Sequence, residues 1–127
     1  MFNSVRVALA CAAVATASIV QPAQAADEPI TVIARLQASP GREAELEARL
    51  AKLQEFVHKV EPSTTYFFLR STKTPGLFLS YEIYPNKAAA GEHMKVTLPA
   101  SNKELGPAAE GLLTRPMEYE LLQPLTN

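Results

Sequence analysis

Few side chains in this 127-residue sequence can carry chemistry, and most of them fall between Thr65 and His93, in the stretch TYFFLRSTKTPGLFLSYEIYPNKAAAGEH. His93 is one of two histidines, and a histidine titrates near physiological pH, which suits it to general-base work. Glu82 sits inside an apolar segment, where an unpaired carboxylate is expensive. It is therefore either ion-paired, with Arg35 and Arg70 as candidate partners, or part of the same site as His93. Tyr66, Tyr81 and Tyr84 place hydroxyl donors on aromatic bodies, and Phe68 alternates with them as apolar wall. A base, a carboxylate and phenolic hydroxyls can take a proton from an acidic organic group and hold the resulting anion. Each residue also has a plainer role, as a backbone-bonded histidine, a paired carboxylate or packed tyrosines. His58, between Val57 and Lys59 on the polar side of a helix, reads as solvated.

Other chemistries lack their residues. There is no glycine-rich nucleotide loop and no nucleophile motif in a recognisable context. Two histidines on separate helices make a poor metal site. Twelve basic and thirteen acidic residues, dispersed along the chain, give no electrostatic footprint for nucleic acid. Residues Val5 to Val20 are apolar apart from Arg6, Thr16, Ser18 and the small Cys11, and Ala23-Gln24-Ala25 comes soon after. A basic residue, an apolar run too short to span a bilayer and an A-x-A end describe a secretory signal peptide over residues 1–25. The expectation is a periplasmic or secreted domain over residues 26–127, with no membrane association after cleavage. Cleavage removes the single cysteine, leaving no disulfide and no thiolate.

The remaining elements must position the reactive stretch. Ile30, Val32, Ala34 and Leu36 alternate with Thr31, Ile33, Arg35 and Gln37, the period of a strand. After Ser39-Pro40-Gly41, residues Arg42 to Val60 form a helix with Leu46, Leu50, Leu53, Val57 and Val60 on one stripe, ended by Pro62. Thr64 to Arg70 and Leu77 to Tyr84 are strands joined by a turn at Lys73-Thr74-Pro75-Gly76. Tyr66 and Phe68 face one way, Phe67 and Leu69 the other. Glu82 and Tyr84 share a face that Tyr81 does not, and the Glu82 face is expected to meet the cavity. Asn86 caps a second helix in which Ala89, His93 and Val96 share a side. Leu98-Pro99 interrupts it, Ser101 to Glu104 has a capping-box pattern, and Gly106-Pro107 splits the apolar stripe of Leu105, Ala109 and Leu112. Arg115 to Leu122 alternates as a last strand.

The order β-α-β-β-α-β is the split pattern of a ferredoxin-like α+β domain, with helices on one sheet face. The other face displays aromatic side chains that a single chain cannot cover, so a homodimer with two sheets facing one another around a barrel is expected.

The chain resembles the antibiotic biosynthesis monooxygenase family, whose members have a dimeric α+β barrel fold. The resemblance runs through ITVIARLQ, SPGREAELEARL, EPSTTYFFLR, PGLFLSYEIY and NKAAAGEH in that order. The family's third strand carries Glu, one residue, then an aromatic, matched by Glu82 and Tyr84, and its second helix carries a histidine, matched by His93. Ser63 replaces a usual glycine, and there is no tryptophan. The resemblance implies oxidation of a quinol or related phenol by molecular oxygen without a cofactor. It implies His93 and Glu82 as catalytic residues and Tyr84, Tyr66 and Phe68 as substrate contacts. Haem-degrading relatives depend on a tryptophan, so haem is not expected. A non-catalytic barrel holding an apolar small molecule, or an isomerase or lyase of the same fold, are the alternatives.

Overall fold

The computed structural model describes residues 28–125; the expected signal peptide lies outside them. Four strands, β1 (Ile30–Gln37), β2 (Thr65–Arg70), β3 (Leu77–Tyr84) and β4 (Glu118–Leu122), form one antiparallel sheet in the order β2-β3-β1-β4. Helix α1 (Glu43–Val60) joins β1 to β2, and α2 (Lys87–Glu92), a π-turn (His93–Thr97) and α3 (Leu98–Leu105) succeed β3 as one continuous helical rod. This is the ferredoxin-like α+β arrangement. Among the described residues no helix is long and apolar enough to cross a membrane.

Register fixes which side chains meet. Ala34 lies opposite Ser80, Val32 opposite Glu82 and Ile30 opposite Tyr84, while Tyr66 lies opposite Glu82 on the other side. Because alternate residues point to opposite faces, all of these point to the helix-covered side. There Ala34, Leu36 and Phe78 pack with Leu46 and Leu50 of α1 and with Ala109 and Leu112. Leu53, Val57 and Tyr66 form a second cluster, joined by Phe68, Leu98 and Leu105. Truncating a fully buried leucine such as Leu46 in such a core costs about 2–5 kcal/mol. Val60, placed on the same stripe by spacing, is 51% exposed at the last residue of α1.

The β2 edge is sealed by α1. Gln54 Oε1 accepts from the Phe68 N–H at 2.8 Å, and His58 Nε2 donates to the Tyr66 carbonyl at 2.7 Å. An edge strand with bonded backbone groups offers no template for further pairing. His58 thus has an exposed ring, stacked edge-on against Phe67, and a structural bond. In the β2–β3 turn Gly76 has φ +72°, and a Cβ there would come within 2.9 Å of the Glu43 side chain, so both conformation and space require glycine.

The second helix departs from the sequence reading. It runs through Pro99 instead of stopping at it, because the turn before the proline widens: Leu98 N–H bonds the His93 carbonyl, five residues back. The wide turn relieves the clash between a proline ring and the preceding turn. It also shifts the buried face, so that Thr97 is buried and Val96, expected beside His93, is 51% exposed. Ser101 is not a cap. It lies inside α3, fully buried, and donates to the Leu98 carbonyl at 2.7 Å. The helix ends where Gly106 takes φ +89°.

Candidate active site

Between the sheet and the helices lies a cavity of about 380 Å³ with mostly apolar walls. His93, Glu82, Tyr84, Tyr66 and Phe68 all line it. The five residues singled out from the sequence therefore converge on one space. That space is on the helix side of the sheet, within one chain, and not between two sheets.

His93 is delivered by the start of the π-turn and is 1% exposed. Its ring lies between those of Tyr66 and Tyr84, with both centroids 5.1 Å away. Its Nδ1 is 2.6 Å from Glu61 Oε2, and the Glu61 side chain is only 12% exposed. A carboxylate on Nδ1 fixes the ring's orientation and tautomer and stabilises the imidazolium when the ring takes up a proton, leaving Nε2 to exchange it.

Glu82, for which Arg35 and Arg70 are the candidate partners if it is ion-paired, pairs with neither. Arg35 is exposed on the opposite face, and Arg70 is bound to Glu47 outside the cavity. The Glu82 carboxylate instead accepts from the Tyr84 hydroxyl at 2.5 Å, two residues along the same strand. Burial drives the Tyr84 phenol far above the ordinary tyrosine range, and the Glu82 charge and hydrogen bond add to the effect. Burial likewise raises Tyr66 well above its usual value, with the charges of Glu82 and Glu61 adding to it and that of Arg49 opposing. Both tyrosines thus stay protonated as hydrogen-bond donors. Tyr81 points to the open face and is 39% exposed.

Two residues of the site were not found from the sequence. Glu61 stands at the end of α1, before Pro62, with nothing local to link it to a histidine 32 positions on. Arg49 lines the cavity from α1; it falls three residues after Leu46 and four before Leu53, on the apolar stripe, and that placement of a charge was the available signal. Among the described residues no group of three or more His, Cys, Asp or Glu could hold a metal ion.

The fold is thus a one-sided α+β sandwich with an apolar cavity, and a carboxylate-bound histidine stands in the cavity wall. The sequence pattern of the antibiotic biosynthesis monooxygenase family matches residues 29–97, and the chain belongs to that family. Solved structures share the fold. A candidate antibiotic biosynthesis monooxygenase from Caulobacter crescentus is 23% identical with a TM-score of 0.66, over 80% of this chain and 93% of that one. A protein from Mycobacterium tuberculosis is 25% identical with a TM-score of 0.62, over 79% and 98%. A variant of SnoaB, a cofactor-independent oxygenase from Streptomyces nogalater, is 17% identical with a TM-score of 0.61, over 79% and 96%. No curated protein matches the chain.

Proposed function

We propose that this protein is a monooxygenase that oxidises a quinol or related electron-rich phenol with molecular oxygen and without a cofactor. The observation that carries the reading is His93 in the wall of an apolar cavity, backed by Glu61 on its Nδ1. In this mechanism His93 Nε2 takes the substrate's acidic proton, and Glu61 holds the imidazolium that forms. The electron-rich anion gives one electron to oxygen, and the two radicals combine at a ring carbon as a hydroperoxide. Loss of water leaves one oxygen atom on that carbon as a carbonyl, so the substrate itself supplies the electrons. Tyr66 donates a hydrogen bond to the developing oxyanion, the Tyr84 ring, held by its bond to Glu82, packs beside the substrate, and Phe68 helps to exclude water. A cofactor-independent oxygenase among the structures of the same fold agrees with this reading.

The working unit we propose is a homodimer. Phe67, Leu69 and Tyr81 are 45%, 54% and 39% exposed on the sheet face away from the helices, and a second copy laid on that face would bury them. Export to the periplasm or the medium, inferred from residues 1–25, is tested by cell fractionation. The activity is tested by incubating the protein with a panel of quinols under air and under nitrogen, using ¹⁸O₂ and mass spectrometry. One labelled oxygen atom in an oxygen-dependent product supports it. A product of unchanged mass indicates an isomerase instead, and a bound ligand without turnover indicates a carrier.

A further inference from the structure

We propose that Arg49 is an anion anchor of the cavity, so that the favoured substrate carries a carboxylate or a comparably acidic oxygen beside its oxidisable ring. The inference rests on the cavity being the substrate site and narrows the class of substrate.

Arg49 stands on α1 and shares the cavity wall with Leu50, Leu53 and Tyr66; it is 8% exposed. Its Nε donates to the Pro107 carbonyl at 3.0 Å and its Nη2 to Asn102 Oδ1 at 3.0 Å. Both acceptors are neutral. They hold the guanidinium plane against α3 and the segment that follows it, and Glu110, which also lines the cavity, acts on the charge only from beyond ion-pairing distance. Nη1 is buried and has no hydrogen-bond partner among the described residues, and no carboxylate there lies within ion-pairing distance of the group. The exposed Arg42 and Arg70, by contrast, each pair with a glutamate. The order is the reverse of what solvation favours, since a buried charge needs a counter-ion far more than a surface one does.

Burial lowers the Arg49 pKa, with the more distant charge of Glu110 opposing, yet a guanidinium keeps its proton in proteins. A buried cation in a cavity wall, bonded only to neutral acceptors, is organised to meet an oxygen anion that arrives with the ligand.

Two probes that differ by one carboxylate, 1,4-dihydroxynaphthalene and 1,4-dihydroxy-2-naphthoate, separate the cases when titrated anaerobically into the full-length protein by calorimetry. The carboxylate is expected to bind at least about ten-fold tighter. In Arg49→Met the ratio of the two affinities should fall to about two or less, with Arg49→Lys between. Lys87 also lines the cavity, and the ratio should survive in Lys87→Met. Equal affinities in the wild type overturn the proposal whatever the variants do, and so does a preference that disappears with Lys87→Met. Oxidation of the neutral probe with no preference for the acid defeats this inference alone. If neither probe binds, the substrate reading falls and the inference with it.

Discussion

The two faces of the sheet are built from the same strands, and each departs in part from a simple inside–outside rule: polar groups stand among the apolar residues of the covered face, and apolar groups stand exposed on the other. The covered face carries Ser80, Glu82, Tyr84 and Tyr66, all polar or partly so and none more than 8% exposed. The open face carries Phe67, Leu69 and Tyr81 toward solvent. Polar groups in a core are costly unless paired, and here each has a purpose or a partner: Ser80 Oγ accepts from the Ala34 N–H, and Glu82 accepts from Tyr84. Apolar groups in water are tolerated singly but in a patch mark a contact. Under the proposed function the buried face carries the chemistry and the open face the association.

If that division is right, a change on one face should leave the other's property intact. The largest effect is expected from His93→Ala, which should lower kcat/KM for a quinol by about a hundred-fold or more, as steady-state oxygen uptake will show. An unchanged rate would remove the base from the account. Leu69→Asp, on the open face, should weaken the dimer by at least about ten-fold, read by analytical ultracentrifugation, because a charge would be buried between two sheets. Its turnover per chain should stay within about two-fold of wild type; a collapse of activity would show that the faces are not independent.

Glu61→Gln is expected to cost about ten-fold in kcat, since it keeps a hydrogen bond to Nδ1 but removes the charge that stabilises the imidazolium. The measurement is steady-state oxygen uptake against wild type at one pH, and an unchanged kcat would remove Glu61 from the account. The smallest effect is on stability. Tyr84 keeps its proton in the folded state, whereas an unfolded tyrosine ionises near pH 10. Above about pH 10 the unfolded state thus binds fewer protons, and stability falls as pH rises by up to about 1.4 kcal/mol per unit for this residue. Below that value the group contributes no slope. Thermal melts from pH 8 to 11 should show a shallower alkaline decline in Tyr84→Phe than in wild type, with the Tyr66 contribution remaining; identical slopes would contradict the assignment.

The sequence made the division between faces legible, because strand parity is a local property. Tyr66 and Phe68 against Phe67 and Leu69, and Glu82 and Tyr84 against Tyr81, come from a period of two alone. The element order and the α1 stripe from Leu46 to Val57 were legible for the same reason. The hidden features were made by tertiary contact. Glu61 and His93 meet across 32 residues, and Glu82 bonds a tyrosine because Arg35 points to the open face and Arg70, at the end of β2, is taken by Glu47 of α1. The π-turn was hidden too, since Pro99 signals a break by propensity and only packing decides that the helix widens and continues. The capping pattern at Ser101 misled because a buried helix interior presents the same residue types for a different bond.

The central claim is that the ligand enters beneath the helices and not on the open face. Chemical-shift mapping of isotope-labelled protein with 1,4-dihydroxynaphthalene under nitrogen tests it most directly. The account predicts shifts at His93, Ser80 and Ala34 with Phe67, Leu69 and Tyr81 unmoved. Shifts confined to Phe67, Leu69 and Tyr81, with His93 silent, would contradict it.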